Sequence, residues 1–255
     1  MRYAFLLREL VRRDLEARYR TSWLGFAWPF VHPLAQLVLF SFVFSTVMRI
    51  SLIGERTDSF ALFLFAGLLP WMGLNEGLTR ATTAITDNAA LVSKIPFPAV
   101  LLVVTVVVAA LVHQGVAAVL YLGVLAAFGS PPGLHVFWMA PALLIQIALT
   151  LGGGLALAAL QVWMRDVAQV LSITLMAWFY VTPIVYPLGL VPARYAGWLE
   201  WNPLTVVVTL YRRALLGGPL PPAAATVAAA LAATLVLWGG LVLFRRLEPG
   251  FVDEV

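Results

Sequence analysis

From Ile95 to Met164 the chain carries no Asp, Glu, Lys or Arg. Seventy residues without a formal charge aggregate in water unless lipid is the solvent. The rest of the chain agrees: charged residues make up 11% of it, hydrophobic residues 62%, and the mean hydropathy is +0.94. Cysteine is absent, which excludes a disulfide framework and thiol chemistry. Lysine occurs once, at Lys94; the other basic residues are all Arg, a skew read as composition. A secretory signal is not expected at the N-terminus, because Arg8, Arg12 and Arg13 interrupt any apolar core and no small-residue cleavage site follows.

Catalytic signatures are also missing. His32, His113 and His135 are scattered without metal-ligand spacing and read as hydrogen-bonded or interfacial histidines, so no metal site is expected. There is no G-x-S-x-G element, and Ser130 sits in a Pro-rich turn. Gly152-Gly153-Gly154 lacks the Lys-Ser/Thr that completes a phosphate loop, so it reads as close helix packing and the chain cannot hydrolyse ATP by that route. A secondary transporter should show mid-membrane carboxylates and a repeated half. Only Glu76 qualifies, and no internal repeat is visible.

What is present is a series of apolar spans between islands of charge. A crossing helix needs about 20 residues, so 255 residues leave room for roughly six and for no large soluble domain. The expected fold is an all-α integral membrane protein with one domain over 1–255, six spans within 30–244 and a tail over 245–255. The spans are expected at about Phe30–Met48, Phe60–Ala84, Ala99–Phe128, Val136–Met164, Val167–Val181 and Ala223–Phe244. Residues 1–22 read as an amphipathic helix lying in the headgroup plane, with Tyr3, Leu7, Val11, Leu15 and Tyr19 in one row. Glu9 with Arg13, Asp14 with Arg18, and Glu16 with Arg20 are expected to pair along it. In the second span Glu76 and Arg80 are expected to neutralise each other. Asp87 or Asn88 is expected to cap a short helix after that span, and Asp166 with Gln169 to form a capping box opening the fifth.

The segment from Ile184 to Gly218 differs. Pro192 starts one short helix. Asn202-Pro203 is a cap followed by proline at the first helical position, and Gly217 closes a second helix of about 14 residues, near 21 Å at 1.5 Å per residue and too short to cross. Two such helices suggest a re-entrant pair between spans five and six. Six spans place both termini on one side. That side would carry eleven basic residues against five on the other, so it is expected to be cytoplasmic. The net charge of +4 then suits anionic lipid rather than nucleic acid.

Taken in order, Arg13-Asp14 through Tyr19, Leu24-Gly25 with Trp28, Gly67-Leu68-Leu69-Pro70-Trp71, Asn88 to Pro98, Arg165-Asp166, Thr182 to Tyr186, Trp201-Asn202-Pro203-Leu204, Tyr211-Arg212 and Arg246-Leu247-Glu248-Pro249 resemble the membrane subunit (permease) of an ABC-2 type exporter. The resemblance spans essentially the whole chain. It points to the subfamily that exports O-antigen, capsular polysaccharide or teichoic acid. It implies a bacterial inner-membrane homodimer with two copies of a separate nucleotide-binding subunit. ATP and Mg would sit on that subunit, with no cofactor in this chain. Asp87, Asn88, Leu91 and Lys94 would form the coupling helix, and Leu24, Gly25 and Trp28 would lie at the cytoplasmic mouth. Pro183, Tyr186, Trp198, Trp201, Asn202, Pro203, Tyr211 and Arg212 would belong to the periplasmic gate. A lipid-linked glycan would be the substrate, so aromatics near mid-span, Trp71, Trp178 and Tyr180, are channel candidates, with ordinary helix packing as the alternative. Exporters of drugs or lipids, and a membrane enzyme acting on lipid-linked sugars, are the competing readings.

Overall fold

The computed structural model describes residues 2–19, 31, 34–36, 38, 39, 42–47, 52, 54–94, 98–127, 129 and 131–254. Most of the expected first span, and Leu24, Gly25 and Trp28 before it, lie outside the described residues. The described residues are helical, with no strand among them. In chain order the main elements are α1 (Arg2–Tyr19), α2 (Phe60–Thr83), α3 (Ala89–Lys94), α4 (Val100–Ala127), α5 (Met139–Trp163), α6 (Val167–Val181), α7 (Ala193–Glu200), α8 (Pro203–Leu216), α9 (Ala223–Leu247) and α10 (Phe251–Glu254). Four helices, α2, α4, α5 and α9, are long and apolar enough to cross a membrane. α6 has 15 residues, about 22 Å at 1.5 Å each, short of a hydrocarbon core of roughly 30 Å.

α2 forms where Ser59 can cap it, its hydroxyl accepting the Leu62 N–H. A helix that is apolar all round must be buried all round. α2 obeys this, packing against α4, α5, α6 and α8. Its Ser59 end joins Phe63, Leu64, Leu68 and Leu69 to Leu204, Val207 and Tyr211 of α8 in one core. Its Thr83 end contributes Ala81, followed by Ile85, to a second core with Val103, Ala158, Phe244 and Phe251. α5 and α9 cross with their backbones in contact at Gly152 and Gly240, where a methyl on Gly240 would overlap the Gly152 carbonyl. The triple glycine is thus a packing device, as its missing Lys-Ser/Thr implied.

Boundaries agree with the expected spans to within a few residues, but side-chain partners do not. On α1, Arg12 bridges Glu9 at 3.9 Å and Glu16 at 3.2 Å; Arg20 and the Arg18 side chain, the expected partners of Glu16 and Asp14, lie outside the described residues. Asp14 accepts both ends of the Arg80 guanidinium, at 2.5 and 2.9 Å. Glu76 therefore does not pair with Arg80; it meets His113 Nδ1 at 3.0 Å. The Asn88 amide donates to the Ala84 carbonyl at 2.9 Å and so finishes the preceding helix. Asp166 occupies the cap position of α6 without a side-chain bond. The cap comes from the previous helix, where Gln161 accepts the Ala168 N–H at 2.8 Å and donates to the Arg165 carbonyl.

Candidate functional site

Three features lie along α2. The first is a cavity of about 590 Å3 between α2 and α6. Trp71, Phe179 and Tyr180 line one end, Asn75, Thr79 and Ser172 lie along it, and Arg80 closes the other. Trp71 and Phe179 pack ring against ring at 5.2 Å. Two of the three channel candidates thus share one wall. Trp178 is absent from that lining, and its indole N–H donates to Asn202 at 3.0 Å.

The second feature is the segment around α7 and α8 at the Ser59 end. Asn202 caps α8 by accepting the Leu204 N–H at 3.1 Å, with Pro203 at the first helical position. The same side chain accepts from Trp178 and donates to Thr182 at 3.0 Å, fastening the start of α8 to the end of α6. Tyr186 donates to the Tyr180 carbonyl at 3.0 Å and so finishes α6. Gly217 ends α8 at φ +70, which a residue bearing a Cβ rarely adopts. Trp198 and Trp201 are exposed, as interfacial anchors should be.

Arg212 was counted among the outward charges, yet it is 4% exposed. Its guanidinium donates to the carbonyls of Pro183 at 2.8 Å, Ile184 at 2.7 Å and Phe63 at 3.4 Å, and lies 3.5 Å from the Phe63 ring centre. A buried cation is tolerable only with such partners. The arrangement pins α8 and the turn after α6 onto α2. In the loop before α2, burial pushes the Glu55 carboxyl above the ordinary carboxylate value, and the attraction of Arg212 offsets this only in part.

Tyr211 anchors a polar core that sequence reasoning missed. Gln114 and Gln146 exchange amide bonds at 3.1 and 2.7 Å, Gln114 donates to the Tyr211 hydroxyl at 2.6 Å, and that hydroxyl donates to Gln146 at 2.8 Å. Gln146 also donates to the Pro70 carbonyl at 3.2 Å. The available signal was two glutamines inside an uncharged stretch, where each amide must find a partner.

The third feature is a groove of about 510 Å3 at the Thr83 end. Leu10, Arg13 and Asp14 of α1 face Asp87, Asn88 and Leu91 across it. Asp87 and Asn88 are exposed, and Lys94 ends α3. Phe251, 1% exposed, packs edge to face with Phe244 beneath this region, and α10 touches α3.

The comparisons agree with this geometry. The O-antigen export system permease protein RfbA of Myxococcus xanthus is 33% identical over 255 residues, 99% of this chain and 96% of that protein. A protein of the same name from Klebsiella pneumoniae is 26% identical over 249 residues, 97% of this chain and 94% of its own. The polysialic acid transport protein KpsM of Escherichia coli is 26% identical over 246 residues, 96% and 94% of the two chains. Residues 6–216 match the ABC-2 type transporter family, and the chain belongs to that family of membrane proteins.

Proposed function

We propose that the chain is the permease subunit of an ATP-driven exporter that moves a lipid-linked polysaccharide from the cytoplasm to the periplasm or cell surface. The observation that carries this reading is the α2–α6 cavity, whose lining combines aromatic rings with small hydroxyl and amide groups. Sugar C–H faces stack on such rings while ring hydroxyls need polar partners. The names of the full-length relatives support the same cargo class. Transport is this subunit's task, with ATP hydrolysis on a separate chain.

The finer picture is six spans, the first near residues 30–48, in a homodimer seated on two nucleotide-binding subunits in the inner membrane. Both termini face the cytoplasm. The groove with Asp87, Asn88 and Leu91 receives the ATPase, Leu24, Gly25 and Trp28 lie at the inner mouth, and the α7–α8 segment is the re-entrant outer gate. α2 joins the two regions directly, since the coupling turn follows its Thr83 end and Arg212 grips its Ser59 end. The test is a mild-detergent isolation of the native complex, paired with deletion of the chain. A stoichiometric partner carrying a phosphate-loop sequence, with polymer retained inside the deletion strain, is the expected result. A reproducible lack of that partner, or unaltered surface glycan on deletion, overturns the reading; normal polymer with altered drug sensitivity would favour a drug or lipid cargo.

A further inference from the structure

The run Arg246-Leu247-Glu248-Pro249, which the transport reading leaves without a task, builds a hook. The Glu248 N–H closes α9 on the Phe244 carbonyl, and Pro249, with no N–H to give, ends that ladder. A single turn follows, with the Phe251 N–H on the Glu248 carbonyl. It runs so close to the end of α5 that a Cβ on Gly250 would lie 2.8 Å from the Trp163 ring. The turn delivers Phe251 into the second core, where it is 1% exposed and meets Phe244 edge to face at 5.3 Å.

α3 is an element that needs such support. Its six residues give about 9 Å of helix, far below the length at which a helix stands alone. Its order must come from packing. Ala90 and Ser93 are exposed, as are Asp87 and Asn88 before them. Leu91 and Val92 instead pack against the second core, whose members include Ile85, Val103, Phe244 and Phe251. α10 touches both α3 and α5. We propose that Phe251 is the positioning residue of the coupling turn: it completes the core on which Leu91 and Val92 rest, and so fixes the angle at which α3 meets the ATPase. The inference rests on the reading that this turn receives the ATPase. It adds that the hook after α9, and not α2 and α4 alone, holds the turn in place. A push on α3 is then delivered also to α5 and α9, the two helices whose backbones meet at Gly152 and Gly240.

The test uses the full chain in lipid nanodiscs and follows hydrogen–deuterium exchange in residues 86–94. Phe251→Ala should speed exchange there about tenfold, while the amides of α2 and α8 keep their wild-type rates. Phe251→Leu keeps most of the volume and should fall between the two, which decides the matter where the alanine variant does not fold. Val252→Ser, at a side chain 54% exposed, should change nothing. Wild-type exchange in the Phe251 variants, or an equal rise over the whole chain, overturns the seat. Reconstituted with the ATPase subunit, the Phe251→Ala chain should still bind it and support ATP hydrolysis but export less polymer per ATP; an unchanged ratio overturns the positioning role. Normal export by the Asp87→Ala, Leu91→Ala chain refutes the coupling reading and with it the role of the seat, not the seat itself, which the exchange result alone decides.

Discussion

Replacing Arg212 by lysine should loosen the gate segment while keeping its charge. The guanidinium reaches three carbonyls, of Phe63, Pro183 and Ile184, and covers the Phe63 ring. Gly67 leaves the room for it, since a Cβ there would lie 2.8 Å from the Arg212 Nη2. An ammonium is a compact point charge that cannot fork across carbonyls on two separate segments. Losing two of the three bonds, at roughly 1.5–3 kcal/mol for each bond to a charged group, gives a cost of about 3–6 kcal/mol. For a chain of this size each kcal/mol is about 2–4 °C, so the thermal midpoint should fall by roughly 6–24 °C. Fluorescence-detected size-exclusion chromatography after heating reads this directly. Arg213→Lys is the internal control, because Arg213 bonds only the nearby Gly217 and Gly218 carbonyls from a half-buried position. Limited proteolysis should also find the Thr182–Tyr186 turn newly accessible in the Arg212 variant alone. A midpoint within about 2 °C of wild type, or equal shifts for the two variants, would refute the claim that this guanidinium holds the gate.

Gly240→Ala should lower the thermal midpoint, since overpacking costs about 1–3 kcal/mol, whereas the neighbouring Gly239→Ala, which meets open space, should raise it slightly through helix propensity. Gln146→Leu removes the donor to the Gln114 carbonyl and the acceptor of the Tyr211 O–H and should cost about 2–4 kcal/mol; the combined Gln114→Leu, Gln146→Leu, Tyr211→Phe variant should recover much of that loss in the same assay. Glu55 has a folded-state value raised above the ordinary 4.5, so folding favours its protonated form, and the penalty appears as pH rises through that raised value. Glu55→Gln should therefore raise the midpoint at neutral pH and lose this advantage by about pH 3.5. Asp87→Ala with Leu91→Ala should abolish export while leaving protein level and midpoint intact; unchanged export would remove the coupling role.

Helix limits were legible because their signals are local. Asn202-Pro203 and Gly217 mark the two ends of α8 within their own residues, and the charge-free stretch marks α4 and α5 by itself. Partner choice was not legible. Spacing along one helix nominated Glu76 for Arg80, but Asp14 and Arg80, 66 positions apart, found each other, as did Glu76 and His113 across 37. In an apolar interior each polar group takes the best partner that the packing of other helices presents, and four-residue spacing has no priority there. The carbonyl partners of Arg212 were not legible for the same reason, since they lie on two other segments.

Several of these polar ties converge on α2. Asp14 ties α1 to its Thr83 half through Arg80, Gln146 ties α5 to Pro70 at its middle, and Arg212 ties α8 to Phe63 near its Ser59 end. A helix held at three depths by polar bonds, and buried nearly throughout, moves as a unit more readily than it bends. A displacement of the Thr86–Lys94 turn by a docked ATPase would then reach Arg212 without a relay of intermediate side chains. The Arg212 fork is the place to break that link. The lysine variant keeps the charge while releasing α8 and the turn after α6 from α2. It should still bind the ATPase and still hydrolyse ATP with it, but should export poorly; export at the wild-type rate would show that the gate takes its signal from elsewhere.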